Sequence, residues 1–177
     1  MAFIDLDVRF KANSSKVSEL GFSDFRSPFA FEMVKPGDAR KIPNDANLTV
    51  ASSLSIELLR EAAKSRRVSI LYNRGFITDV GLIRDAAAQK KPFEIPIAPL
   101  LECGGIQRAI LMSKMRFFIK ICTKLRAPLV RVSQAKDEFQ LKSPEEMIAI
   151  GEMLGLSHDQ AEWAITEIPE MVLDASR

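Results

Sequence analysis

The chain has 177 residues, 47% of them apolar, which is enough for one domain, spanning 1–177, with a full core, and too few for two ordinary ones. It contains no apolar run of the ~18 residues a membrane-spanning helix needs, and MAFIDLDVRF lacks the charged and apolar regions of a signal peptide, so a soluble, cytoplasmic protein is expected. The net charge of +2 conceals a polarity: residues 145–177 carry eight acids against Arg177 alone, while residues 1–144 hold 24 bases against 15 acids. A body this basic attracts polyanions through phosphate contacts and counterion release, and the acidic segment is expected to face solvent or a basic protein.

In chain order, Ala2 to Arg9 alternates, with Phe3, Asp5, Asp7 and Arg9 on one side and Ile4, Leu6 and Val8 on the other, as in a strand. Between Lys11 and Gly37 the serines, phenylalanines and a proline break the period; Ser14 to Leu20 suits a short helix and Phe29 to Val34 a strand. Asp38 to Asn47 is a polar loop, Leu48 to Ser52 a strand, and Ser55 to Lys64 a helix ending at Arg66-Arg67. Val68 to Tyr72 is nearly continuous apolar sequence, suiting a sheet buried on both faces. Thr78 to Gln89 is the next helix, Lys90-Lys91-Pro92 ends it, and Phe93 to Ile97 is the next strand. Strand-helix-strand units wind right-handed into parallel sheets, so the class is α/β, with a barrel or part of one as the first choice.

Basic side chains concentrate between Ile106 and Glu146. On a helix from Ile106 to Leu125, at ~100° per residue, the apolar positions sweep roughly 220°, and Ser113, Arg116, Lys120, Thr123 and Lys124 fill most of the remainder. So wide an arc is expected to be covered on more than one side, and is too broad for a helix lying on a membrane. Lys114 falls mid-arc, where it either snorkels or meets a partner. Pro128 then opens a strand, Leu129 to Ser133, and Ser143-Pro144-Glu145-Glu146 is a capping box with proline at the first helical position. Gly155 closes that helix, and Ser157 with Gln160 caps a last one running to about Ile168.

Several residues bear on chemistry. Asp5 and Asp7 share a strand face; they either hold a divalent metal or act as acid and base in a phosphoesterase, or simply cap and pair with a base such as Arg9 or Arg131. A single histidine, His158, supplies neither a zinc site nor a catalytic triad, and Cys103 and Cys122 read as reduced thiols. Arg131, inside a strand, requires either an ion-pair partner or a ligand. Lys136 and Lys142 flank Phe139 on the loop at the carboxyl end of that strand, a combination that suits phosphate binding with base stacking, although Phe139 equally suits a core anchor. Gly104-Gly105 is either a turn or a phosphate cradle at a helix start.

Three segments resemble a known family: FIDLDVR (Phe3 to Arg9), FEIPIAPLL (Phe93 to Leu101), and Arg108 to Leu156 with its basic helix RAILMSKMRFFIKI and the run VRVSQAKDEFQLKSPEEMIAIGEMLGLS. They resemble ribonuclease P protein component 3, the archaeal relative of the thirty-kilodalton protein subunit of eukaryotic ribonuclease P. Gln134 departs from the family pattern, which has a second serine there, and the chain is short for the family. The resemblance implies a TIM-barrel-like fold with an incomplete or abbreviated barrel, and a subunit role in the ribonucleoprotein endonuclease that removes 5′ leaders from precursor tRNA. It also implies an RNA that performs the catalysis and requires magnesium, a protein that holds no metal or cofactor and supplies no catalytic residue, and a pairing with ribonuclease P protein component 2. RNA contacts are then expected from Arg108, Arg116, Lys120, Arg131, Lys136 and Lys142. The stand-alone metal phosphoesterase using Asp5 and Asp7 is the alternative, and a scaffold that binds only protein through the apolar arc is a third reading.

Overall fold

A computed structural model describes residues 2–12, 14–43 and 45–176; Asn44, inside the expected polar loop, and Arg177, in the acidic segment, lie outside the described residues. Five parallel strands form one sheet in the order β3 (Phe29–Glu32), β4 (Thr49–Ser53), β5 (Ile70–Asn73), β6 (Phe93–Pro96) and β7 (Leu129–Val132). Two short strands, β1 (Ile4–Asp5) and β2 (Asp24–Phe25), make a second parallel pair, and a parallel bridge between Val8 and Ala135 joins β1's continuation to the end of β7. The result is a curved wall that returns on itself, a TIM-barrel-like fold in which the expected abbreviation falls on the first two strands. The helices are α1 (Ser14–Glu19), α2 (Ile56–Lys64), α3 (Val80–Ala88), α4 (Ala98–Glu102), α5 (Gly105–Lys124), α6 (Pro144–Met153), α7 (His158–Trp163) and α8 (Glu167–Ala175).

An eighth strand is replaced by two carbonyls. The Ala164 carbonyl accepts from the Arg131 amide of β7 at 2.9 Å, and the Ile165 carbonyl accepts from the Ile4 amide of β1 at 2.9 Å. Sequence explains why both are free. Pro169 has no N–H to give to the residue four before it, so a helix cannot run through from Ser157, and the chain breaks at 164–166 before α8 begins. The single last helix expected from Ser157 to Ile168 is therefore two helices, α7 and α8.

Alternation divides the core into two layers. Ile4, Leu6, Leu48, Val50, Ile70, Val130 and Val132 fill the barrel interior, with Val172 of α8 joining them. Leu71, Phe93 and Ile95 face outward onto the helices, where Phe118 of α5 meets Phe93 edge-on with ring centroids 5.1 Å apart. The caps read from sequence are present: Ser143 with Glu146 and Ser157 with Gln160 each form both bonds of a capping box. Cys122 is buried, Cys103 half-buried, and both are free thiols, as expected.

Candidate nucleic-acid interface

The twenty-residue α5 is anchored through one side only. Met115, Phe118, Ile119 and Cys122 are buried against the barrel, whereas residues 105–110, the first turns, are exposed throughout. Ile106 (80% exposed), Ile110 (51%) and Phe117 (58%) fall within about 40° of one another on the helix surface. This corrects the expectation that the wide arc is covered on more than one side: Ile106, Ile110 and Phe117 are left bare. Lys114 is exposed too.

Beside the apolar stripe stands a basic one. Lys120 and Lys124 are exposed, and Arg116, also exposed, donates from Nε to the Met153 carbonyl at 2.9 Å, which fixes the guanidinium between α5 and the end of α6. Arg108 is held on the first turn by a 2.8 Å bond from Nε to the Cys103 carbonyl. The loop after β7 is braced by its own side chains. The Asp137 carboxylate accepts from the amides of Phe139 (3.0 Å) and Gln140 (3.1 Å), and the Gln140 side chain accepts from the Lys136 amide at 2.9 Å. A single 3-10 turn, Glu138–Gln140, results, and it carries Phe139 at its tip, 91% exposed. The core-anchor reading of Phe139 is thereby excluded. Lys136 is exposed but ion-paired with Glu102 at 2.6 Å, and Lys142 is half-buried just before the cap of α6. Gly104 and Gly105 are exposed, and Gly105 takes a left-handed φ of 52° at the start of α5, as a turn requires.

Arg131 does not belong to this surface. It is fully buried, points from β7 toward α6, and lies so close to Gly151 that a Cβ there would sit 3.4 Å from its Cδ and Nη1. None of its three guanidinium nitrogens has a hydrogen-bond partner among the described residues, and burial pushes its pKa down to about 9. The expected RNA contact from Arg131 is corrected on this ground: a side chain on the sheet's outward face, roofed by a helix, has no path to a phosphate.

At the carboxyl end of the strands a polar cavity of about 420 Å³ opens between Arg9, Glu32, Ser52, Tyr72, Arg74, Glu102, Gln134 and Lys136. Beneath it sit two buried acids that the alternation of the first strand and the FEIPI run place there. Asp7 is gripped by Arg9, with Nη2 to Oδ2 at 2.9 Å. Glu94 accepts from the Gln134 amide at 2.6 Å while its other oxygen is buried without a partner; burial first, and the neighbouring Asp7 carboxylate second, raise its pKa well above the carboxylate range. Asp5 is tied to the sheet edge, both its oxygens accepting from the Ser133 amide at 3.2 Å, and burial pushes it up to about 7 against those bonds. The rim charges are closed into couples, Arg74 with Glu32 and Lys136 with Glu102.

Comparison with known proteins is decisive at this point. The family model for RNase P subunit p30 matches residues 12–177. The chain belongs to the RNase P subunit p30 family. Ribonuclease P protein component 3 of Methanosarcina acetivorans is 30% identical over 167 residues, covering 89% of this chain and 69% of the relative. The Methanosarcina barkeri protein of the same name is 31% identical over 141 residues, covering 77% of this chain and 59% of the relative. A chain in the cryo-EM structure of archaeal ribonuclease P with mature tRNA superposes with a TM-score of 0.76, covering 99% of this chain and 80% of that one; at 20% identity this is a likeness of fold.

For this p30-family chain the phosphoesterase alternative fails on geometry. The two aspartates it requires are committed, Asp7 to Arg9 and Asp5 to the Ser133 amide, and no group of three or more potential metal ligands occurs among the described residues. Gln134, the departure from the family's serine, has a specific task, since only a side chain of its reach bonds Glu94 across the mouth. Glu94 itself was the residue sequence reasoning passed over, and the signal was present: a lone carboxylate in an apolar strand must have a buried partner. No helix among the described residues is long and apolar enough to cross a membrane.

Proposed function

We propose that this chain is a protein subunit of ribonuclease P, the ribonucleoprotein endonuclease that removes the 5′ leader of precursor tRNA, and that it binds and supports the catalytic RNA. The observation that carries the reading is the exposed side of α5 with the braced turn beyond β7: Arg116, Lys120 and Lys142 beside a solvent-facing Phe139, all held on rigid elements. Arg108 and Lys136 extend this set, Lys136 by exchanging Glu102 for a phosphate. Phosphate contacts of this kind position an RNA without reading its sequence, and an exposed aromatic adds stacking on an unpaired base. The bare stripe of Ile106, Ile110 and Phe117 is assigned to a protein partner, for which ribonuclease P protein component 2 is the candidate. Magnesium belongs with the RNA in this scheme, since the acids of the barrel mouth are already paired or buried, and the working compartment is the cytoplasm.

The test is a reconstituted particle in which Lys120→Glu and Lys142→Glu are combined. Stimulation of precursor tRNA cleavage falls most at higher salt, and the slope of log affinity against log salt shrinks by about 2, one per lost phosphate contact. An unchanged cleavage rate together with an unchanged slope refutes the assignment of these lysines.

A further inference from the structure

The strongest charged feature outside this interface lies at the opposite end of the barrel. The segments entering β4, β5 and β6, together with the end of α8, frame a cleft of about 720 Å³. Lys64, Arg66, Arg67, Lys90 and Lys91 line it, and no carboxylate is present among the described lining residues. Lys64 is 3.9 Å from Asp85; the remaining four are in none of the ion pairs of the described residues.

Two of the five have internal work. Lys91 donates from Nζ to the carbonyls of Ala62 (3.3 Å) and Ser65 at the end of α2, and Arg67 donates to the carbonyls of Arg40 and Ile42, at 3.1 Å to the latter. Carbonyls orient these cations without neutralising them, and the chain bears the mutual repulsion of five positive charges in one cleft. Cations at helix C-termini are favourable against the macrodipole, which accounts for Lys64 at the end of α2 but not for Arg66 and Lys90, exposed beyond the helix ends. Lys90 is presented from a left-handed turn, φ 52°, as part of a fixed loop. The lining contains no aromatic residue, so it offers no platform for unpaired bases. An array of oriented cations without stacking groups suits the regular phosphate rows of a duplex.

We propose that this cleft at the N-terminal end of the barrel is a second polyanion site, taking the sugar-phosphate backbone of an RNA helix through Lys64, Arg66, Arg67, Lys90 and Lys91. The choice of RNA over an acidic protein segment rests on the ribonuclease P reading above. Because the two basic surfaces stand at different ends of the fold, one molecule engages two RNA segments at once.

The experiment uses the full chain and a short blunt-ended, fluorescently labelled RNA duplex, with anisotropy read over a salt series. Lys64→Gln, Arg66→Gln and Lys90→Asn are combined in one variant; these side chains are exposed, and asparagine tolerates the left-handed turn. Arg116→Gln, Lys120→Gln and Lys142→Gln form a second variant, and circular dichroism melts check that both are folded. The cleft variant loses at least about tenfold in duplex affinity near 0.1 M salt, its salt slope falls by about 2 to 3, and combining both variants loses more than either. Native-like affinity and slope in the cleft variant overturn the proposal. So does tight binding of a poly-glutamate peptide that the cleft variant abolishes while duplex binding stays unchanged, which would mark a protein-binding cleft. If only the α5 variant binds normally, the earlier interface is wrong and this cleft stands.

Discussion

Replacing Arg131 with methionine should make the protein more stable, an unusual result for removing a fully buried side chain. Its guanidinium has no hydrogen-bond partner among the described residues, and burial lowers its pKa from 12.5 to about 9. At ~1.36 kcal/mol per pH unit the cost of carrying that charge is roughly 5 kcal/mol. Methionine keeps an unbranched stem against Gly151 while removing the charge, and some of the gain is lost to imperfect filling of the space. A net stabilisation of about 1–4 kcal/mol is expected, in line with apolar replacement of other buried charges. For a chain of this size about 2–4 °C accompanies each kcal/mol, so the melting midpoint at pH 7 rises by several degrees. The pH dependence gives an independent reading. Between about pH 9 and 12.5 the unfolded chain holds the Arg131 proton and the native chain releases it, so native stability gains as pH rises through that window, and the variant lacks this gain. Calorimetric melts at pH 7 and pH 10 measure both effects. Destabilisation by more than about 1 kcal/mol at pH 7, with Arg131→Lys milder than Arg131→Met, would show that the guanidinium is held by a partner and would refute the reasoning.

Gly151→Ala should destabilise despite alanine's higher helix propensity, because the new Cβ would lie 2.8 Å from the Ala161 Cβ. Overpacking of about 1–3 kcal/mol set against roughly 1 gained in propensity leaves a net loss of about 1 kcal/mol, read as a lower urea midpoint with unchanged slope. Asp5→Asn should stabilise at neutral pH. With a native pKa of about 7 against 3.8, the native state holds the proton while the unfolded state has lost it, so wild-type stability declines as pH rises from about 4 to 7, by at most ~4 kcal/mol. The variant flattens that decline in melts across the window, and an undiminished slope would exclude Asp5 as its source. Phe139→Ala should leave the melting midpoint within about 0.5 kcal/mol of wild type, since the ring touches little, yet weaken binding of RNA with unpaired bases by about 1–3 kcal/mol in a filter-binding assay.

Much of the wall was legible because its signals are local. Apolar runs at 48–52, 68–72, 93–97 and 129–133 became strands within two residues of their expected ends, and the two capping boxes fixed the starts of α6 and α7. What escaped is decided at a distance. Strand β2 is two residues long and has no period to detect, and α4 begins at Ala98-Pro99, where proline reads equally as a turn. The break before α8 was announced by Pro169, but its purpose, freeing carbonyls for Ile4 and Arg131, depends on strands far away in sequence. At the interface, the exposure of Lys120 followed from the helix period, whereas the orientation of Arg131 depended on which face of β7 looks inward. Its neighbours Val130 and Val132 line the barrel interior, so Arg131 must point to the helices.

That orientation also bears on where function can reside. TIM-barrel enzymes keep reactive groups at the carboxyl ends of their strands, and this chain has a polar mouth there. A reactive acid or base needs a free oxygen or nitrogen facing the cavity, and here Asp7 is bonded by Arg9, Glu32 by Arg74 and Glu102 by Lys136, while Glu94 is held below them as a neutral acid. Charges closed into pairs stiffen the mouth but have little left to offer a substrate. The cations without carboxylate partners lie elsewhere, Lys120 and Lys124 on α5 and Arg66 and Lys90 at the far end of the barrel. A fold used for chemistry in other proteins is in this one a rigid frame, with its available charge carried on outer surfaces where an RNA backbone can reach it.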